Sequence, residues 1–172
     1  MSYILQKKIA NSFQKLVEKN GFDHVSVTIL MKETGIRRPT FYEYFQDKYD
    51  LLAWHIDDTL TDIIENNIGY LPWREIISLT FFEFDAYRRF YKNCVQEQHE
   101  IDLAAKISIH LQIMIDQLPA KQATTAKKNA AWLQLLTLGS GQAIVHNLLS
   151  EHPVDYEILV QQTIQALETT TV

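Results

Sequence analysis

The most chemically distinctive part of this sequence is a pair of arginines followed by three hydroxyl-bearing side chains. Arg37 and Arg38 precede Thr40, Tyr42 and Tyr44. A guanidinium is a planar fork of five N–H donors, so it can bind a guanine edge bidentately or clamp a phosphate. Hydroxyl groups donate to phosphate oxygens at little desolvation cost. The segment therefore predicts a DNA-binding surface with at least one base contact from the arginine pair, and ordinary solvated arginines are the alternative.

A helix must present these side chains to a groove of DNA, and the flanking residues supply its start. Gly35 can adopt backbone angles that a side chain would forbid, so we predict a tight turn over residues 34–36. Ser26 is a good N-cap for a helix before the turn, and Pro39 suits the first turn of the helix after it, predicted over residues 37–45. Two short helices joined in this way are typical of a helix-turn-helix, whose second helix enters the major groove.

The same segment has an ordered pattern of a small turn residue, Thr-aromatic-Tyr-x-Tyr-Phe, then x-Asp-Lys and an apolar helix. The residues that carry the pattern are Gly35, Thr40, Phe41, Tyr42, Tyr44, Phe45 and Lys48. This segment resembles the helix-turn-helix of the TetR family of bacterial transcription regulators. The resemblance implies an all-α protein with an N-terminal three-helix DNA-binding domain and a larger helical domain for regulation and dimerisation.

The DNA-binding residues predicted from chemistry and resemblance together lie in the first third of the chain. Thr40, Tyr42 and Tyr44 match positions at which the family contacts DNA, and Lys48 matches a family lysine that meets phosphate. Ser26 can contact DNA, cap its helix, or do both. The full predicted set is Ser26, Thr28, Arg37, Arg38, Pro39, Thr40, Tyr42, Tyr44 and Lys48.

The distribution of charge supports this placement, although the net charge of −5 by itself opposes binding to a polyanion. Residues 1–53 contain eight basic and six acidic side chains, which gives +2. Residues 54–172 contain eight basic and fifteen acidic ones, which gives −7. We therefore predict that DNA binds the first third, and that the acidic remainder repels phosphate and orients the molecule.

The expected partners are a double-stranded operator and a second copy of the chain. A monomer would contact too few phosphates for specific regulation, so a homodimer is predicted, with recognition helices about 34–36 Å apart on a palindromic operator. The expected function is a repressor released by an effector. An activator or coactivator gated by a partner protein is the alternative, because the segment around Asp47–Trp54 and a later Phe84-x-x-Tyr87-x-x-Phe90-Tyr91 are also similar to regulators of dihydroxyacetone kinase operons.

Composition bounds the fold and the cellular setting. With 47% hydrophobic residues, five Gly and four Pro among 172 residues, the chain is typical of a helix-rich globular protein. The lone Cys94 has no partner for an internal disulfide, and we expect it to be a small core residue. No run of about 18 apolar residues is present, so no membrane span is predicted and a cytoplasmic location is expected.

The chain is predicted to divide into a DNA-binding domain over residues 1–50 and an effector-binding and dimerisation domain over residues 51–172. Asp47 is expected to cap a fourth helix reaching about Asn67. Later helices are predicted over about 97–117 and 123–150, with a last one after Pro153. Aromatic side chains after Pro72 fill a core or line an effector pocket; the pocket candidates are Trp73, Phe81, Phe84, Tyr87, Tyr91 and Trp132.

Two apolar helices near the C-terminus are predicted to form an intersubunit bundle. The interface candidates are Leu135, Leu138, Gly139, Ala143, Val160, Ile164 and Leu167. The Gly139-Ser140-Gly141 sequence is interpreted as a place where another helix approaches closely, since no strand precedes the serine as a nucleophile elbow requires.

Catalytic and metal-binding patterns are not evident. The six histidines show no ligand spacing on one helix, so neither a metal nor a cofactor is predicted. An all-helical enzyme using the aromatic pocket is a remote alternative, because the sequence offers no spaced set of acid, base and nucleophile.

Overall fold

The computed structural model describes residues 2–118 and 130–168. Their regular structure consists of nine α-helices and a 3₁₀ turn at Glu65–Asn67, apart from an isolated bridge between Ile68 and Leu71. The all-α prediction is confirmed. The helices are α1 Ser2–Asn20, α2 Val27–Thr34, α3 Arg38–Tyr42, α4 Lys48–Ile63, α5 Trp73–Ala86, α6 Arg88–Glu97, α7 Leu103–Gln117, α8 Ala130–Leu149 and α9 Tyr156–Glu168.

Polar caps start the helices where the sequence predicts them. The Ser26 hydroxyl accepts from the Ile29 backbone N–H at 3.3 Å at the start of α2. At the start of α4, the Asp47 carboxylate accepts from the N–H groups of Tyr49 and Asp50 at 2.8 and 2.9 Å. Each cap satisfies N–H groups that the first helical turn leaves without intrahelical acceptors.

The chain divides into two compact units that are not simple halves of the sequence. The N-terminal unit comprises the residues up to Asp57 together with Arg89–Ile101, and the C-terminal unit comprises Asp58–Arg88 and the residues from Asp102 onwards. The border predicted at residue 50 thus falls within α4, and most of α6 belongs to the N-terminal unit.

Aromatic side chains from distant parts of the sequence form the core of the N-terminal unit. Phe13 of α1 packs edge-on against Phe22 and Phe90, with ring centroids 6.1 and 6.3 Å apart. Cys94 of α6 is buried, as predicted. Burial raises the pKa of the Cys94 thiol, and the Glu97 carboxylate raises it further while Lys48 opposes the effect. The neutral thiol therefore serves this core as a small apolar group.

The C-terminal unit is held together by close packing of α7 against α8. At Gly141, the backbone of α8 approaches so closely that an added Cβ would collide with the carbonyl oxygen of Ala104. The Ser108 hydroxyl donates to Thr137 Oγ1 at 2.9 Å, and Gln112 Nε2 donates to both hydroxyl oxygens at 3.2 and 3.0 Å. The close-packing interpretation of the small-residue segment is therefore confirmed at Gly141, whereas nothing lies within 4 Å of a Cβ at Gly139.

Beyond Pro72, the helices follow the sequence-based prediction only in part. The aromatic stretch after Pro72 is broken at Tyr87, which has φ −109° and ψ 30° and ends α5 before α6 begins. The helix predicted from residue 97 begins at Leu103, because the Asp102 carboxylate caps it by accepting from Ala105 N–H at 2.9 Å. The first part of the helix predicted over residues 123–150 lies outside the described residues.

Among the helices that the structure describes, none is long and apolar enough to cross a membrane.

Candidate nucleic-acid interface

A glycine and a buried hydroxyl build the turn between α2 and α3. Gly35 has φ +69°, a left-handed conformation that disfavours any residue with a Cβ. Thr34 Oγ1 donates to the Met31 carbonyl at 3.2 Å and accepts from the Ile36 N–H at 3.2 Å. These bonds pair backbone groups that the end of α2 leaves open, so the direction of α3 is fixed locally.

The α3 helix is shorter than the segment predicted for it. It spans Arg38–Tyr42, with Arg37 as the residue before it and Pro39 in its first turn, as predicted. Its last turn tightens, since the Glu43 N–H bonds to the Thr40 carbonyl. Tyr44 therefore follows the helix and is half-buried.

Two phenylalanines anchor the inner face of this segment. Phe41 and Phe45 are fully buried, and their ring centroids are 5.5 Å apart. The opposite face is exposed, with Arg37, Arg38 and Pro39 accessible to solvent and Tyr42 49% exposed. The buried pair thus holds a polar, basic surface outward, which is the arrangement that groove binding requires.

The two arginines differ in their contacts. Arg38 Nη2 donates to the Tyr42 hydroxyl at 3.0 Å, and its guanidinium lies 5.5 Å from the centre of the Tyr42 ring. The Arg37 guanidinium has no hydrogen-bond or ion-pair partner within residues 2–118 and 130–168. Arg38 is therefore held beside a phenol that shares its surface, whereas Arg37 has all five donors available.

Lys48 lies in a different environment from the other predicted DNA contacts. Its Nζ donates to the Phe22 carbonyl at 3.0 Å and lies 4.2 Å from the centre of the Phe22 ring. Two of its three N–H donors remain for other partners. The lysine thus ties the start of α4 to the loop after α1, a role that the sequence did not indicate.

The remaining predicted DNA contacts lie on or near α2 and α3. Ser26 and Thr28 are exposed at the start of α2, and Thr40 is half-buried in α3. The Ser26 hydroxyl caps α2 through its lone pairs, so its O–H can still donate to a phosphate.

Two polar side chains of α6 support this region from a distant part of the sequence. Asn93 Nδ2 donates to the Val17 carbonyl near the end of α1 at 2.9 Å. Glu97 Oε2 accepts from the Asp23 N–H at 2.8 Å. Sequence reasoning missed both, because only the fold brings α6 to the end of α1. Along α6, which mixes polar and apolar residues, nothing singles out these two side chains.

The six aromatic residues predicted to line an effector pocket divide between the two units and between core and surface. Trp73, Phe81 and Phe84 are buried in the C-terminal unit, where they fill its core. Tyr91 is buried in the N-terminal unit, and its ring centroid is 5.0 Å from that of Phe90. Tyr87 and Trp132 are exposed.

The residues predicted for a dimer interface divide between surface and core. Leu135, Leu138 and Gly139 of α8 are exposed, and Ala143 is half-buried. On α9, Val160 and Leu167 are buried within the C-terminal unit and Ile164 is half-buried. The exposed apolar side chain of α9 is Ile158, which sequence reasoning did not select.

A protein-family model matches the part of the chain that contains α2, the turn and α3. Residues 14–53 match the model of the bacterial regulatory proteins of the tetR family, and this range contains the turn, α3 and the residues that carry the pattern. The resemblance to the TetR family is confirmed. The TetR-type segment is the helix-turn-helix described above.

A relative in Lactococcus lactis subsp. lactis (strain IL1403) matches a longer stretch of the chain than the family model does. The chain is 35% identical over 91 residues to the HTH-type dhaKLM operon transcriptional activator DhaS. The match covers 53% of this chain and 49% of the relative, so it spans about half the length of each.

Two solved structures share the fold over nearly the whole chain. The dihydroxyacetone kinase operon activator DhaS has a TM-score of 0.78 at 22% identity, with 96% of this chain and 94% of that chain covered. The fatty acid degradation regulator FadR from Bacillus halodurans has a TM-score of 0.66 at 16% identity, with 96% and 95% covered. At these identities the similarity establishes the fold alone.

Proposed function

We propose that this chain regulates transcription by binding a palindromic operator as a homodimer, with α3 in the major groove. The observation that carries the proposal is the exposed basic face of α3, held outward by the buried Phe41 and Phe45. In this proposal Arg37 reads a base edge, and Arg38 and Tyr42 contact DNA as a pair. A regulator of this kind acts on bacterial DNA in the cytoplasm, and it is not an enzyme.

Exposed apolar side chains support the homodimer. Leu135 is 60% exposed and Leu138 is 38% exposed on α8, and Ile158 is 50% exposed on α9. Large apolar side chains exposed on two helices favour an interface. A two-fold symmetric dimer would repeat the α3 surface for the two halves of a palindrome.

The sign of regulation has two candidates. The sequence predicts a repressor that an effector releases. An activator is favoured by a specific observation, since the relative that is 35% identical over 91 residues is an operon transcriptional activator. Deleting the gene and following a reporter driven by the bound promoter separates them, because expression rises if a repressor is lost and falls if an activator is lost.

Operator binding tests the central proposal. We expect the full-length protein to bind one fragment flanking its own gene preferentially, with affinity falling steeply as salt rises, by about 0.9 in log–log slope per phosphate contact. Replacing both Arg37 and Arg38 with Ala should weaken this binding about 100-fold, since a bidentate base contact contributes roughly 1–3 kcal/mol. A fluorescence-anisotropy titration at several salt concentrations measures both.

A matched control removes two positive charges elsewhere in the N-terminal unit. Arg89→Ala with Lys92→Ala on α6 lowers the net charge equally but leaves α3 intact. We expect this variant to keep the fragment preference of the wild type. Equal losses in the two double variants, or uniformly weak binding to every fragment, would refute the assignment of α3 as the reading helix.

A further inference from the structure

An apolar groove lies between α5 and α9 within the C-terminal unit. Its volume is about 470 Å³. Its apolar wall includes Leu79 and Phe82 of α5 and Tyr156 and Val160 of α9. Phe82 is 66% exposed, so the ring is presented to solvent instead of to the core. The volume falls within the range of about 300–1,000 Å³ that small-molecule sites occupy.

Four carboxylates surround this wall, and no lysine or arginine is among the lining residues. The carboxylates are Glu75, Asp85, Asp155 and Glu157. Asp155 has a local role, because its Oδ1 accepts from the Glu157 N–H at 2.9 Å at the start of α9. Within residues 2–118 and 130–168, the Glu75, Asp85 and Glu157 carboxylates have no ion-pair partner.

The arginines nearest in sequence, Arg74 and Arg88, each have hydrogen-bond partners in the same unit. Arg74 Nε donates to Glu168 Oε1 at 2.6 Å. Arg88 Nη2 donates to the carbonyls of Asn147 and Leu148 at 2.7 and 3.1 Å, near the end of α8. Arg88 also acts on the Tyr156 hydroxyl, which lines the groove. Four carboxylates thus outnumber one guanidinium, and the groove keeps a net negative charge for an external cation.

We propose that this groove binds an organic cation with an apolar body. The exposed face of Phe82 attracts a cation through the ring quadrupole, and the surrounding carboxylates add Coulomb attraction that an anion of the same shape would not receive. The apolar wall accounts for affinity that a simple metal cation could not gain.

The groove is distinct from the pocket predicted from the aromatic residues, since Phe81 and Phe84 of α5 point into the core while Phe82 lines the groove. As an effector site, the groove deepens the regulator proposed above and rests on it. Binding is therefore measured without DNA, so that failure of the groove and failure of operator binding are separate results.

Two ions of nearly identical shape and opposite charge test the proposal. Tetraphenylphosphonium and tetraphenylborate are titrated into the full-length protein by isothermal calorimetry. We expect saturable binding of the cation with one site per chain, weakened by added salt, and binding of the anion at least about tenfold weaker. Equal binding of the two ions, or no binding of the cation up to its solubility limit, would overturn the proposal.

Paired variants locate the site. Glu75→Gln with Glu157→Gln removes two groove charges without changing side-chain volume, and should weaken cation binding by about fivefold. Glu100→Gln with Glu151→Gln makes the same change at exposed positions outside the groove, and should leave binding unaltered. Phe82→Ala should weaken cation binding about tenfold. Equal affinity in the wild type and both groove variants places the cation elsewhere and rejects this site.

A second copy of the chain is the competing occupant. Sedimentation equilibrium on the Glu75→Gln, Glu157→Gln and Phe82→Ala triple variant distinguishes it. We expect the same molecular mass as for the wild type. A loss of the oligomer in this variant would assign the groove to an interface between copies and overturn cation binding.

Discussion

The exposed face of α3 in the N-terminal unit and the groove of the C-terminal unit differ in how far apart in sequence the residues that build them lie. In the N-terminal unit, the turn and α3 are built by residues within one short segment, from the Ser26 cap to the buried Phe45. In the C-terminal unit, the close approach joins Ala104 to Gly141, and the groove joins α5 to α9. The first surface can be recognised along the sequence, while the second exists only after distant helices pack.

The two units also differ in charge. The N-terminal unit contains ten basic and nine acidic side chains, a net +1, and the C-terminal unit contains six and twelve, a net −6. Basic side chains are exposed on α3, whereas carboxylates surround the α5–α9 groove. The difference indicates that the proposed partners have opposite charge: a polyanion for one unit and a cation for the other.

The largest expected effect tests the close helix packing of the C-terminal unit. Gly141→Ala should lower the apparent free energy of unfolding by about 2–3 kcal/mol, because the new methyl group forces the backbones of α7 and α8 apart. Gly139→Ala is the control two residues away, and should be neutral or stabilising by up to about 1 kcal/mol through helix propensity. Urea denaturation followed by circular dichroism measures both; equal effects would contradict the close approach.

A smaller effect tests whether α6 stabilises the N-terminal unit. Asn93→Ala removes the donor to the Val17 carbonyl and should lower the free energy of unfolding by about 1 kcal/mol. Hydrogen exchange should quicken in α1 but not in α7 or α8. Gln96→Ala, at an exposed position of the same helix, should leave α1 unchanged. Faster exchange in α7 or α8 instead would show that α6 supports the other unit.

The smallest effect compares the units at alkaline pH. Burial raises the pKa of Cys94 above its ordinary 9.0 in the N-terminal unit, and burial raises that of Tyr156 above 10.0 in the C-terminal unit. As pH rises, each group ionises in the unfolded chain before it ionises in the folded one. Its contribution to the free energy of unfolding is therefore complete below its ordinary pKa and falls as pH rises above that pKa. At pH 9.5 we expect Cys94 to lower the free energy of unfolding by about 1 kcal/mol, and Tyr156 to lower it by less.

Variants at the two positions separate these contributions. Urea denaturation between pH 8 and pH 11 measures the free energy of unfolding of each variant. This free energy should decline less steeply than that of the wild type from about pH 9 in Cys94→Ala, and only above about pH 10 in Tyr156→Phe. An unchanged pH profile in the Cys94 variant would mean that the thiol titrates alike in the folded and unfolded chain.

Local chemistry accounts for the features that the sequence predicted. Ser26, Gly35, Pro39 and Asp47 each act on backbone groups within a few residues, so their roles follow from their types and order. The features that the sequence did not predict depend on contacts between residues far apart along the chain. The sequence predicts Tyr91 in an effector pocket, whereas the fold buries it in the N-terminal unit, together with residues from the start of the chain.

The sequence by itself determined an all-helical chain, a glycine turn and a short helix with a buried aromatic face and an exposed basic face. The physical reason is that caps, turns and helical periodicity are set by neighbours along the chain. Only the tertiary structure decided that α6 supports the end of α1, that α7 and α8 touch at Gly141, and that α5 and α9 enclose an acidic groove. Those arrangements depend on which buried faces pack together, and periodicity shows that a face is apolar without naming its partner.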